Sequence, residues 1–132
     1  MPPTTALLLI AHGSRRAEAN ADLDHVAAAM RARGGYAVVQ TSYLELAAPD
    51  IPAGGALCVE AGATAVTMLP YFLSAGVHVR EDMLEAQAEL AGRFPGVTFR
   101  LAPHLGLHPL LLDIVEARAR EAEAAADAGG PA

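Results

Sequence analysis

The sequence contains no lysine: all nine basic residues are arginine. Fifteen acidic residues outweigh them, for a formal net charge of −6. That balance argues against nucleic acid and against an anionic membrane surface as partners, since both are gripped by clustered cations. Cysteine occurs once, at Cys58, which excludes an internal disulfide and a cysteine-built metal cage. Cys58 lies in the apolar stretch Ala56–Val59 and reads as a small buried hydrophobe rather than a nucleophile. No apolar run approaches the roughly 18 residues of a membrane span. The start, Met1 to Thr5, lacks the basic segment of a secretory signal, so a cytoplasmic protein is expected. With lysine missing and alanine abundant, a lone arginine is weak evidence. Where the arginines fall is more informative.

What is present is a chain of 132 residues, 53% hydrophobic, enough for one domain with a buried core. It alternates between two periods, the signature of β-α repeats. Ala6 to Ala11 is continuously apolar, as in a strand buried on both faces. Leu23, Val26, Ala27 and Met30 recur at helical spacing, and Gly34-Gly35 stops that helix. A second strand is expected over Ala37 to Leu44, then a helix through Leu57 and Glu60. Thr64 to Leu69 reads as a third strand, ending at Pro70, which cannot donate to a ladder. Met83, Ala86, Leu90 and Phe94 trace another helix. Val97 to Leu101 is a fourth strand. The last helix carries Leu110, Leu111, Ile114 and Val115 on one face. The expected domain covers residues 1–125, with 126–132 as a frayed tail.

Two histidines stand just past the buried strands: His12 in His12-Gly13-Ser14-Arg15-Arg16, and His78 after Ser74-Ala75-Gly76-Val77. In an open parallel sheet, ligands bind at the carboxyl ends of the strands. Neutral imidazole is a common ligand for first-row metals, so the pair could hold one ion with positions left open. Each could also be a hydrogen-bonded turn residue. Glu45, ending the second strand, is either a third ligand or base on that rim or an exposed carboxylate. Arg15, Arg16 and Arg80 flank the histidines and could grip carboxylates in bidentate fashion, or they are solvated helix-start residues. Ser14 is a plausible helix N-cap, and Glu81 and Asp82 would complement a helix dipole. His104 and His108 could join the site or cap the last helix beside Pro109. His25 is expected at the surface. A phosphate cradle at His12-Gly13-Ser14-Arg15 is a rival reading, but Ala11 stands where histidine phosphatases place an arginine.

Four motifs in order carry a resemblance: Leu9-Ile10-Ala11-His12-Gly13-Ser14-Arg15, Tyr43-Leu44-Glu45, Leu69-Pro70-Tyr71-Phe72-Leu73 with Gly76-Val77-His78-Val79-Arg80-Glu81-Asp82, and Leu105-Gly106-Leu107-His108-Pro109. Over residues 6–115 the chain resembles the CbiX/SirB family of sirohydrochlorin chelatases, in its short single-domain form. The resemblance implies a chelatase-like three-layer α/β/α fold with a four-stranded parallel sheet and helices on both faces. It implies ATP-independent insertion of Co²⁺, Fe²⁺ or, in some relatives, Ni²⁺ into sirohydrochlorin, on the way to cobalamin or siroheme. Family ligand histidines map onto His12 and His78, and a family acidic residue onto Glu45. The divalent ion is a substrate, and no nucleotide is expected; no phosphate-binding loop pattern occurs. Sirohydrochlorin is rich in carboxylates, which suits Arg15, Arg16 and Arg80. A homodimer is expected, because a flat macrocycle needs a broad cleft. A non-catalytic metal or tetrapyrrole carrier would use the same histidines.

Overall fold

The computed structural model describes residues 3–129. Eight elements alternate along the chain: β1 (Thr5–Ala11), α1 (Ala17–Arg33), β2 (Val38–Tyr43), α2 (Ile51–Glu60), β3 (Ala65–Pro70), α3 (Val77–Arg93), β4 (Thr98–Leu101) and α4 (Leu110–Gly129). The strands form one sheet in the order β2-β1-β3-β4, and every pairing is parallel. This is the α/β architecture expected from the alternating periods. β1 lies between β2 and β3, so it has no solvent-facing edge, and its Ala6–Ile10 segment is fully buried. That accounts for its unbroken apolar run.

The strand alternation divides the core into two layers. On one face Ala6, Leu8 and Ile10 meet Val66, Met68 and Phe99, covered by Ile51 and Cys58 of α2 and Met83, Ala86 and Leu90 of α3. On the other, Leu7 and Leu9 join Val39 and Tyr43 beneath Leu23 and Ala27 of α1. Right-handed crossovers require this division, because the chain steps one way across the sheet through α1 and the other way through α2 and α3. α2 packs closely because Gly54 and Gly55 carry no Cβ. A Cβ on Gly54 would lie 2.9 Å from the Ser42 Cβ, and one on Gly55 would lie 2.6 Å from Leu90 Cδ1. Asp50 caps α2 by accepting from the Ala53 N–H at 2.9 Å. Buried Ser42 donates to the Leu9 carbonyl at 3.0 Å, so its polarity is satisfied.

α4 departs from this packing. Leu110, Leu112, Ile114 and Val115 are 53–72% exposed, and the helix stands off the sheet. The expected boundary at residue 125 falls inside α4, which continues to Gly129; Gly130, Pro131 and Ala132 lie outside the described residues. Among the described residues, no helix is long and apolar enough to cross a membrane.

Cys58 is fully buried, and burial pushes its thiol up from 9.0 to about 11. The folded state therefore keeps a proton that the unfolded chain releases at lower pH. Stability is complete below pH 9.0 and should fall as pH climbs toward about 11. Urea denaturation across that window, with Cys58→Ala as reference, checks this. Equal pH slopes for the two proteins would contradict it.

Candidate functional site

The β1–β2 ladder runs past the ends of both strands. The Leu44 N–H donates to the Ala11 carbonyl at 2.9 Å, and the Glu45 N–H donates to the His12 carbonyl at 3.1 Å. Gly13 then turns the chain at φ 94°, a left-handed conformation that favours glycine. Its α-carbon presses against the Glu45 carbonyl so closely that a Cβ would collide with it. His12 and Glu45 are thereby fixed side by side through their backbones. The side chains of both are exposed.

Ser14 does not cap α1. The N-cap is Arg16, with no side-chain cap bond. Its carbonyl receives the Ala19 and Asn20 N–H groups. Ser14 instead belongs to a loop held by Asn20, whose Oδ1 accepts from the Ser14 N–H at 3.0 Å and whose Nδ2 donates to the Ser14 carbonyl at 2.8 Å. A bond spanning six residues follows no short-range sequence rule, so the sequence carries no signal for Asn20. The Tyr43 hydroxyl donates to the Asn20 carbonyl at 3.1 Å. Burial, then the nearby Asp24 carboxylate, push the Tyr43 pKa up, so the phenol stays a neutral donor. A cavity of about 290 Å³ opens here, lined by residues including His12, Asn20, Tyr43 and Tyr71.

The strand order reverses between β1 and β3, which is where ligands seat in sheets of this kind. His12 leaves β1 at that point and stacks on Phe72, which follows β3. Their ring centroids are 4.3 Å apart at 30°. Phe72 is 4% exposed and belongs to the core, so it is an anchored plate against one face of the imidazole. Phe72 was visible in sequence only as part of a motif; its partner became evident through the β1–β3 pairing.

His78 sits differently from the sequence expectation. α3 already starts at Val77, with Gly76 as N-cap, so His78 lies within the first helical turn. Glu81 and Asp82 fall beyond that turn and do not serve as its acidic complement. Glu81 faces the histidine instead, with Oε2 4.0 Å from His78 Nδ1, and the His78 side chain is 98% exposed. Both histidines and Glu45 occupy the carboxyl edge of the sheet. The described residues gather no group of three or more His, Cys, Asp or Glu able to hold a metal ion, so the three do not form a closed cage.

The arginines divide. Arg15 and Arg16 are exposed in the turn before α1. Arg80 lines a cavity of about 400 Å³ with Met83, Pro70 and His104. His104 therefore shares a hollow with an arginine. His108 is the cap: its Nδ1 accepts from the Leu110 N–H at 3.1 Å. His25 is exposed, as expected. Around the same edge Leu46, Leu73, Val77 and Leu107 are 53–99% exposed. Leu46 and Leu107 also hold φ values of 64° and 65°, a conformation that costs a bulky residue about 1–3 kcal/mol. Strained, exposed leucines beside histidines mark a surface shaped for something other than stability.

A doubly wound parallel sheet with an imidazole at its switch point defines a class of α/β ligand-binding domain. Within it, residues 6–122 match the CbiX family model, and the chain belongs to that family. It is 37% identical to the chloroplastic sirohydrochlorin ferrochelatase of Arabidopsis thaliana over 85% of this chain and 50% of that one. The sirohydrochlorin chelatase SirB from Bacillus subtilis subspecies spizizenii, solved in complex with cobalt, has a TM-score of 0.81 and 28% identity, covering 89% of this chain and 50% of that one. A CbiX protein from Marinobacter aquaeolei has a TM-score of 0.75 and 30% identity, covering 90% and 98%. The chain spans about half the length of the Arabidopsis and Bacillus relatives it matches.

Two measurements probe the site's construction. Gly13→Ala should lose about 2 kcal/mol or more in urea denaturation, from left-handed strain and collision with the Glu45 carbonyl; wild-type stability would contradict the clasp. In wild-type protein, the His12 imidazole protons should show an upfield ring-current displacement in NMR that Phe72→Leu abolishes. Unchanged His12 shifts in that variant would disprove the stack.

Proposed function

We propose that this chain, acting as a single chelatase-like unit, inserts a divalent metal ion (Co²⁺ or Fe²⁺, with Ni²⁺ as a further substrate) into sirohydrochlorin without ATP. The observation that carries the reading is His12, braced on Phe72 at the switch point with Glu45 locked beside it. The names of the relatives, ferrochelatase and cobaltochelatase, support the reaction class.

The chemistry follows from an open rim. His12 and His78 supply imidazole nitrogens, too few for a closed structural site, so water fills the remaining positions. Macrocycle nitrogens can displace that water and then the histidines, which hold the ion only while it is in transit. Two pyrrole N–H protons must leave as the metal enters. The exposed Glu45 carboxylate accepts one, and an imidazole freed of metal is a suitable base for the other at cellular pH. Arg15, Arg16 and Arg80 meet peripheral carboxylates. Tyr71, Leu73, Val77 and Leu107 offer apolar surface to the macrocycle faces. Imidazole and carboxylate accept cobalt and iron alike, so the site is expected to load either. Two copies pair to enlarge the cleft, and the single unpaired cysteine suits a cytoplasmic setting.

The test is an absorbance time course of sirohydrochlorin with Co²⁺, Fe²⁺ and Ni²⁺, with and without protein. Protein should accelerate the spectral change. His12→Ala and His78→Ala should each remove most of the acceleration with unaltered circular dichroism, and Glu45→Gln should slow it by about 100-fold, the scale of a lost proton acceptor. Binding of metal or macrocycle with no acceleration for any ion would identify a carrier and overturn the chelatase reading.

A further inference from the structure

One hollow of the molecule has no part in the metal chemistry. It lies at the carboxyl ends of β3 and β4, measures about 400 Å³, and is lined by residues including Pro70, Met83, Leu101, Arg80 and His104. Its walls are apolar: Pro70 and Met83 are buried and Leu101 is half-buried. Its ionisable side chains are one guanidinium and one imidazole, with no carboxylate among them, in a chain whose net charge is −6. Both side chains are uncommitted. Among the described residues, the arginine and histidine side chains that hydrogen-bond are Arg31, Arg118, Arg120 and His108, and those in ion pairs are His78, Arg118 and Arg120.

Helix geometry explains the free guanidinium. Side chains on a helix meet at intervals of three and four. From Arg80 those positions hold Met83 and Leu84 forward, Val77 and Gly76 back. Glu81 and Asp82, one and two residues on, point elsewhere. His104 is placed by the loop after β4. The Ala102 N–H donates to the Met68 carbonyl at 2.8 Å, and the Leu105 N–H donates to the Phe72 carbonyl at 3.1 Å. These bonds keep the loop beside the one that follows β3. Gly106 lets the two close up: a Cβ there would strike the Leu73 carbonyl and lie 2.8 Å from His104 Nε2. Phe72, whose carbonyl holds this loop, carries His12 on its ring. The hollow thus borders the metal rim without belonging to it.

We infer that this hollow is a subsite for one carboxylate arm of the macrocycle, with His104 as its specificity-determining residue. Apolar walls take the methylenes of a short stem. Arg80 and an imidazole N–H, present in either neutral tautomer, grip the carboxylate at its end. A methyl or ester arm leaves both donors unmatched, which disfavours it strongly. An arm fixed here also sets the rotation of the flat ring on the rim.

Because the identity of the macrocycle rests on the chelatase reading, binding is measured with no metal present. Glutarate, a carboxylate on a short apolar stem, probes the hollow by itself, and neutral glutaramide is its control. The imidazole NMR signals of His104 should shift saturably with glutarate and stay in place with glutaramide. Saturating sirohydrochlorin should abolish the glutarate shift. His104→Leu should raise the Kd for metal-free sirohydrochlorin about 10-fold, the scale of a hydrogen bond to a charged group. His104→Gln keeps an N–H and should recover most of that loss. An unmoved His104, equal shifts with glutaramide, or a glutarate shift that survives sirohydrochlorin would overturn the subsite. So would unchanged affinity in His104→Leu, or equal losses in the two variants. A protein that binds sirohydrochlorin through His104 yet accelerates insertion of no metal would overturn the chelatase reading alone. One that does not bind sirohydrochlorin would overturn both.

Discussion

The structure depends on one clasp. Two N–H groups, from Leu44 and Glu45, carry the β1–β2 ladder beyond its strands to the Ala11 and His12 carbonyls. Gly13 can then turn away only because it has no side chain to strike the Glu45 carbonyl. An imidazole and a carboxylate from distant parts of the chain become neighbours through backbone bonds. Their side chains remain unpaired with each other. This is an economical way to hold reactive groups in place while leaving them open to a ligand, since backbone ladders are stiffer than side-chain contacts.

Phe72 adds a second constraint from the other side of the switch point. It is rooted in the α2–α3 core layer, yet it presents its ring to His12, which leaves from the β1 end. The histidine is therefore oriented by both halves of the sheet. His78 has no such bracing and projects from the first turn of α3. In the proposed reaction, one anchored imidazole and one free imidazole suit an ion that must be captured and then surrendered. A closed cage would hold it too well. The strained leucines Leu46 and Leu107 lie on the same edge, which fits a surface where local stability gives way to ligand contact.

Much of the fold was legible in sequence because its determinants are local. The buried run Ala6–Ala11, the punctuation at Gly34-Gly35 and Pro95-Gly96, and the period of α3 each announce an element. His12, His78 and Glu45 were legible as candidates because strand ends in a parallel sheet share one edge. Less legible were features made by pairing across the sheet. Asn20 anchors a loop six residues back. Phe72 meets His12 only because β3 lies beside β1. Ser14 has the side chain of a cap, but the N-cap falls two residues later, at Arg16. The start of α3 at Val77 is also hard to read, because its N-cap, Gly76, has no side chain to signal a cap. α4 looked like an ordinary amphipathic helix, and its pattern says nothing about which sheet it covers.

The central claim is that the rim holds one ion between His12 and His78. Titration with Zn²⁺, standing in for the divalent substrate, followed through the imidazole ¹⁵N signals of all five histidines, tests it directly. The account predicts that the ring nitrogens of His12 and His78 shift together and saturate at the same metal ratio, while His25 and His108 stay in place. Separate saturation of the two, or movement of neither, would contradict it.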